Sequence, residues 1–508
     1  MIAPGSTVWF ARHESRLAWR DWLAMMTAGR RARVRAVALG ILAFVVVMHG
    51  VAYLVVGGFA DAAPDQRVFV AITATLLLSW FLMVSQAMES LTRAFYARSD
   101  LDLILASPVA AYKIFAVRMA MVALSVVTMA LPLAAPFIDM LAWRGGARWL
   151  GAYGVIPAMG AAAAALAIAL TVALFRAVGA RRTRLVAQIV AAVIGAAFVI
   201  GLQVAAIQSY GTLSRTSVLQ SDALLALAPD VDSLAWWPAR AALGDGVALA
   251  GVLAFGFIAL ALAVAAVAPR FGEYAITAAG AVASPAGRAG RHKTFRRVSP
   301  RQALRRKEWL LLFRDPWLVS QTLMQMLYLA PPALLLWKSF EANGGAVNLL
   351  VPVLVMAAGQ LAGGLAWLTI SGEDAPDLVA TAPVPARYVL RAKIEAVLGI
   401  IAVVFAPLVA VLAFDSLWHA LVASLGIFIA AASATAIQLW FRTQAKRSQF
   451  RRRQVSSRVA TFAEAFSSIG WAAAAGVAAV NLVLAVVPAL LTIGVAAGAR
   501  FLSPHKEV

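Results

Sequence analysis

The sequence predicts an all-α polytopic membrane protein, with about 12 transmembrane helices in two parallel six-helix repeats. Three observations carry this expectation. Of 508 residues, 62% are hydrophobic and 13% charged, with a mean hydropathy of +0.84. A soluble domain has roughly 45–50% apolar and about 25% charged residues, so lipid has to solvate much of this surface, which argues against a water-soluble enzyme. The apolar residues also gather into runs that match the roughly 20-residue helix needed to cross a bilayer. Finally, Lys and Arg concentrate between alternate runs, as the positive-inside rule requires.

Taken in order, the apolar windows fall at 34–59, 68–91, 112–137, 149–175, 185–209 and 246–268, then at 318–337, 346–370, 394–414, 419–441, 460–479 and 481–502. A long basic segment precedes the first window and many more windows follow, a pattern unlike a cleavable signal peptide. The last two windows share one apolar stretch, divided by an expected turn near Asn481. Glu464 requires the eleventh span to start late or to turn that side chain toward protein.

Orientation follows from the cations. With the N-terminus in the cytosol and alternate sides thereafter, 38 of the 44 Lys and Arg lie on cytosolic segments or span ends. Arg67, Arg144, Arg148, Arg215, Arg240 and Lys338 are the remainder. This separation predicts an even number of spans, both termini in the cytosol, and contact with membrane lipids. It also accounts for the net charge of +21 without a nucleic-acid partner. Cys is absent, which removes disulfides, thiolate metal sites and Cys nucleophiles.

Two connections stand out. Residues 210–245 contain VLQSDALLALAPDVDSLAWWPAR, whose Leu and Trp content predicts a helix lying on the outer interface or dipping into it, with Asp222, Asp230 and Asp232 in water. An ordinary ordered loop is the alternative. Residues 269–303 read as a flexible cytosolic linker ending in RHKTFRR. The expected organisation is therefore a first unit over 1–268, the linker over 269–303 and a second unit over 304–508.

The two halves repeat weakly. HESRLAWRDWL precedes the first window and KEWLLLFRDPWL the seventh, so that Glu14, Arg20 and Asp21 line up with Glu308, Arg314 and Asp315. DLDLILASPVAAYKIFAVR follows the second window and DAPDLVATAPVPARYVLRAK the eighth, aligning Asp102, Leu103, Pro108 and Val109 with Asp377, Leu378, Pro383 and Val384. RRTR and RRR follow the fourth and tenth windows. Each half begins inside and holds six spans, so the repeat is parallel, with its pseudo-axis along the membrane normal. Trp19, Trp22, Leu23 and Met26 make a helical stripe beside Arg16 and Arg20, and Trp309, Leu312, Phe313 and Trp317 make another beside Arg305, Arg306 and Lys307. Both read as helices on the inner membrane surface, where anchoring alone is the simpler role. Glu14 and Arg20 are too far apart in sequence for a good pair within one helix, so pairing between elements is expected. The second pair of motifs reads as a short helix ended by the pre-proline restriction and a turn into the membrane. It is an apolar knob offered either to a soluble partner or to its own chain.

On these motifs the chain resembles the permease subunits of type-2 ABC exporters, in a fused form with two six-span units. The resemblance implies a connecting helix before the first span of each unit, holding Glu14, Arg20 and Asp21, then Glu308, Arg314 and Asp315. It implies a coupling element between spans two and three, holding Asp102, Leu103, Pro108 and Val109, then Asp377, Leu378, Pro383 and Val384. Each coupling element would dock into a cleft of a separate cytosolic ATPase subunit, two copies per chain, with ATP and Mg bound there. The family's re-entrant hairpin between spans five and six would correspond to residues 210–245. The second half departs from the pattern, since almost no residues separate its last two windows.

No G-x-x-x-x-G-K-[ST] phosphate loop occurs, so the chain itself is expected to be non-catalytic, without cofactor or metal. Intramembrane charge is sparse. Glu89 can pair with Arg93, Glu395 with Arg391, and no paired acidic relay stands at mid-depth. His49 is read either as a pathway residue or as one satisfied by a neighbouring helix. Gln86, Gln188, Gln203, Gln321, Gln325, Gln360 and Gln438 either line a pathway or bond between helices. His49, Gln86, Gln325 and Gln360 are the pathway candidates, and the mostly apolar interior favours an amphipathic or lipid-like substrate. The leading expectation is an ATP-driven exporter subunit of the bacterial inner membrane. Its rivals are an ion-coupled secondary transporter, a lipid-modifying membrane enzyme, and a structural or assembly protein.

Overall fold

Hydrocarbon offers no partner to a bare backbone N–H or C=O, so long apolar runs satisfy themselves as helices. The computed structural model describes residues 6–27, 34–57, 59, 64–96, 110–210, 222–270, 273, 298–314, 323, 327, 347–371, 373, 376–441 and 458–503, and no strand occurs among them. Eight described helices are long and apolar enough to cross a membrane: Gln66–Thr92, Tyr112–Gly145, Ala147–Val178, Gly246–Arg270, Leu350–Ile370, Ala386–Asp415, Leu417–Phe441 and Ala460–Val480. Three shorter apolar helices are Phe44–Val55, Leu185–Ala197 and Val486–Phe501. The chain is a polytopic helical membrane protein. The window expected at 318–337 lies outside the described residues, apart from 323 and 327. Two compact units emerge, residues 1–202 with 214–290, and residues 203–213 with 291–508.

In the first unit α1 (Thr7–Thr27), α2 (Val34–Val55), α3 (Gln66–Tyr96), α4 (Ala111–Gly145), α5 (Gly151–Val178) and α6 (Ala180–Tyr210, to residue 202 in this unit) follow one another. Helix α5 is the centre of the unit. Ala161, Ala163, Ala164, Ala165 and Ala167 are buried on it, and such small residues let α3, α4 and α9 pack closely against it. Helix α2 packs on α4 and exposes Leu39, Leu42, Val46 and Leu54, the surface expected of a helix facing lipid.

The 210–245 connection is not one amphipathic helix. Among its described residues it forms α7 (Asp222–Leu227), a 3₁₀ turn at Leu234–Trp236 and α8 (Trp237–Ala242), ahead of α9 (Gly246–Val267). Pro229 lies between α7 and the 3₁₀ turn, and Pro238 occupies the first turn of α8, where its missing N–H costs nothing. Trp236 packs against protein. It is buried, stacks on Phe69 and donates to the Asp230 carbonyl at 3.0 Å. Gln66 donates to the carbonyls of Leu225 and Ala228, so the segment is fastened to α3. Asp230 and Asp232 are exposed as expected, and the side chain of Asp222 lies outside the described residues. Asp245 caps α9, accepting from the Val247 and Ala248 N–H groups. The Ala248 N–H foremost, with that of Val247 and the Arg240 guanidinium, holds its carboxyl below the usual carboxylate range.

The second unit contains α10 (Pro300–Arg314), α11 (Val347–Ser371), α12 (Pro376–Thr381), α13 (Ala386–Asp415), α14 (Leu417–Phe441), α15 (Arg458–Val480) and α16 (Val486–Leu502). Helix α11 is buried nearly all round, through Leu350, Leu354, Val355, Ala358, Leu361 and Leu365, because α13, α14 and α15 all pack on it. The turn expected near Asn481 is present. The Asn481 side chain accepts from the Val483 and Leu484 N–H groups, and this turn moves the start of the last helix from the expected residue 481 to Val486. Seventeen residues then rise about 25 Å, less than the roughly 30 Å of a hydrocarbon core.

Glu464 faces protein, as its sequence context requires. It is buried on α15, where Gln438 of α14 donates to it. Space for the carboxylate comes from Gly363 on α11, where an added Cβ would stand 2.1 Å from the Glu464 carboxyl carbon. One turn earlier Gly359 makes the same room for Ser468, and Ser433 and Ser467 bond at 2.8 Å. A G-x-x-x-G stripe on α11 thus meets a polar seam on α15.

Candidate functional site

Helix α12 and the elements behind it form the most developed site among the described residues. Pro376 opens the helix, Leu378 is 72% exposed on it, and Val379 is half-buried. A bend at residues 382–384 follows, with Pro383 exposed and Val384 half-buried, and Pro385 then stands as N-cap of α13. The short helix, bend and long apolar helix read from the sequence therefore occur in that order. The side chain of Asp377 lies outside the described residues, as do Asp102, Leu103, Pro108 and Val109 entirely.

A charged network lies on both sides of α12 in the chain. Glu308, at 0% exposure on α10, is the hub. Lys393 of α13 reaches its two carboxylate oxygens at 3.0 and 3.2 Å and also donates to the Thr369 carbonyl on α11. Lys307 lies 3.2 Å from Glu308 and pairs with Glu373, which sits just before α12. Two lysines around one buried carboxylate, with the second carboxylate alongside, keep the buried charges matched. Glu395 of α13 is held on its other side by Arg391 at 3.0 Å and by Arg305 of α10. The Arg391 pairing is the one expected. The Arg305 bond crosses elements, and Glu395 holds that guanidinium above its usual range. Helices α10 and α13 are thus joined by ion pairs, Lys393 also holds the backbone of α11, and Glu373 ahead of α12 is tied to α10.

Of the helical stripe expected on α10, Trp309 and Leu312 pack against protein, and Trp317 and the side chain of Phe313 lie outside the described residues. Glu308 and Leu312, one turn apart, face the unit's interior, with Trp309 against Gly399, where an added Cβ would be 3.1 Å from the ring. Helix α10 is therefore docked on α13 through an ionic core and does not merely float on an interface. The side chain of Arg314 and all of Asp315 lie outside the described residues. In the first unit α1 is docked by Phe10, which is buried against Ile114 and Val117 of α4. Glu14 is half-buried and Arg20 exposed, and the side chain of Asp21 lies outside the described residues. In each unit the helix before the first expected span packs on the helix that begins just after the coupling motif: α1 on α4, α10 on α13.

The pathway candidates do not converge. His49 of α2 is bound, its Nε2 3.1 Å from Asp139 of α4 and its Nδ1 2.7 Å from the Val45 carbonyl. Tyr153 of α5 donates to the same aspartate at 2.7 Å. His49 therefore has hydrogen-bond partners, and Asp139, which supplies one of them, is a residue the sequence reading passed over. Gln86 bonds to the Met129 sulfur, and Gln438 belongs to Glu464. Gln360 is exposed on α11, and Gln325 lies outside the described residues. No cluster of three or more His, Asp or Glu able to hold a metal occurs among the described residues. The Glu308 network was legible only as a recurrent Glu before each first span. Lys393, Glu373 and Arg305 carried no signal of their own, since a cation or acid at a helix end is ordinary. Compared with protein-family models, with curated proteins and with solved structures, the chain matches none.

Proposed function

We propose that this chain is the membrane-spanning subunit of an ATP-driven exporter, non-catalytic itself and moved by two copies of a separate cytosolic ATPase. In this reading it lies in the bacterial inner membrane, crosses it 12 times as two parallel six-span units, keeps both termini in the cytosol, and carries an amphipathic or lipid-like substrate. The observation that carries the proposal is the exposed Leu378 on a six-residue helix that follows one long apolar helix and precedes another, with the Glu308 network engaging the residues on either side of it. A free surface loop has no use for such bracing. An element that receives force does, because a displacement of α12 would pass to α10 through Glu373 and Lys307, and to α13 through the backbone, where Lys393 is tied to Glu308 of α10 and to the Thr369 carbonyl of α11.

The mechanism follows from that connection. ATP-driven closure of the partner subunits would draw the two coupling elements together, and rigid helices would carry the movement into the membrane, exchanging an inward-open for an outward-open arrangement. The test is co-purification of the full chain with ATPase subunits from its native membrane. Leu378→Asp and Leu103→Asp are expected to abolish retention of the ATPase and its stimulation while leaving thermal unfolding unchanged, since Leu378 has little packing to lose. Undiminished ATPase retention in both variants sinks the docking assignment.

One observation favours a second reading. A carboxylate buried on a membrane-crossing helix, Glu464 with Gln438, is the kind of group an ion-coupled transporter uses. Uptake into liposomes driven by a proton or sodium gradient without ATP, and lost in Glu464→Gln, would select it.

A further inference from the structure

Where α10 and α13 begin, next to the Glu395 ion pairs, two arginines are held on one tyrosine and two more on the glutamate. Arg301 donates from Nη2 to the Tyr388 hydroxyl at 2.9 Å, with its guanidinium 4.4 Å from the ring centroid. Arg387 lies 5.4 Å from the same centroid. Arg391 stands one turn further along α13 and Arg305 one turn along α10, both on Glu395. Arg301, Arg387, Tyr388 and Arg391 line an open cavity of about 350 Å³.

Among the described residues the charge in this cluster does not balance. Arg305 and Arg391 share the carboxylate of Glu395, Arg301 and Arg387 are held on Tyr388, and Glu308 and Glu373 are engaged by Lys307 and Lys393. The backbone adds to the imbalance. The N-cap of α13 is Pro385, which provides no side-chain acceptor, so the first-turn N–H groups of a 30-residue helix add positive potential at the same end. Cations placed only to orient the chain have no need of fixed geometry. Here an aromatic ring and its hydroxyl hold two guanidinium planes in place, which lowers the entropy lost when a ligand engages their forks.

We propose that this cavity binds a phosphate-bearing anion at the membrane surface, a phosphate monoester or diester gripped by Arg301, Arg387 and Arg391, with Tyr388 positioning the first two. Guanidinium forks match phosphate oxygens in pairs, and phosphate is the anion concentrated at the level where a membrane-crossing helix starts. The same chemistry is offered by a lipid headgroup and by a soluble phosphate ester. Because the cavity joins α10 to α13, an occupant would tie the two helices together independently of any contact made by α12.

The test uses the full chain in a neutral detergent and native mass spectrometry with dioctanoyl phosphatidylglycerol, glycerol 1-phosphate, inorganic phosphate and dioctanoylglycerol. The phosphatidylglycerol is expected to bind and the uncharged dioctanoylglycerol not to. Arg301→Gln combined with Arg387→Gln should weaken binding at least about tenfold, the loss expected for charge-assisted bonds, and Arg35→Gln on α2 should not. Equal binding of glycerol 1-phosphate and the lipid identifies a soluble ester as the ligand, and binding of the lipid alone identifies a headgroup site. Should the double variant fail to fold, Tyr388→Phe, which keeps the ring and removes the hydroxyl, is expected to weaken binding about threefold. Binding unchanged by either variant, or dioctanoylglycerol held as tightly as the phosphatidylglycerol, overturns the proposal.

Discussion

Glu308 shows why a buried carboxylate can be retained in a chain this apolar. Its cost is the removal of a charge from water, several kcal/mol even after relaxation, and it is tolerable only because Lys393 and Lys307 meet it at hydrogen-bonding distance. Removing one member leaves the others buried and uncompensated. Glu308→Gln is therefore expected to destabilise the second unit by about 3–5 kcal/mol. Lys393→Met should do the same, and the double variant should cost clearly less than the sum of the two. Thermal or denaturant unfolding of the four proteins in detergent measures this, and strict additivity would show that the pair is not coupled.

At the scale of elements, helix contacts here are set by what is missing from side chains as much as by what is present. Helices in lipid gain little hydrophobic energy from meeting each other, so close approach and satisfied polar groups decide which faces pair. The α11–α15 contact needs Gly363, because Glu464 occupies the space that a Cβ would fill. Gly363→Ala is expected to force α11 and α15 apart and lower the unfolding temperature by several degrees, whereas Gly494→Ala, with open space around it, should leave it unchanged. An unchanged melting temperature in Gly363→Ala would mean that this contact does not hold the unit together. The same logic explains α12. Its six residues cannot be stable alone, so the helix depends on the chain that flanks it, where Glu373 is tied to Lys307 and Lys393 to Glu308.

For the whole molecule the decisive quantity is which side of the membrane each connection occupies. The absence of Cys permits single-cysteine labelling without background. Ser107→Cys and Ala382→Cys are expected to react with a membrane-impermeant maleimide only after the cytosolic face is exposed, and Val231→Cys in intact spheroplasts. Labelling of positions 107 and 382 from opposite faces would end the parallel-repeat proposal and, with it, the two-ATPase mechanism. The outcome does not bear on the anion cavity, which rests on the second unit alone.

Much of the helical architecture was legible in the sequence because lipid imposes a rule that reads one residue at a time. An apolar run of sufficient length has to be a helix, and a cation between runs reports its side. The turn at Asn481, the outline around residues 376–385 and the inward-facing Glu464 were all recoverable on those terms. Partnership was not. That Glu308 meets Lys393 across 85 positions, that His49 meets Asp139, and that Gly363 yields to Glu464 depend on helix rotation and contact, quantities that hydropathy does not encode. The fold of 222–245 over α3 also escaped, since Leu and Trp look alike whether they face lipid or a neighbouring helix. Composition determined that this chain lives in a membrane as helices; only packing in three dimensions decided which charges hold them together, because electrostatic and steric complementarity are properties of pairs.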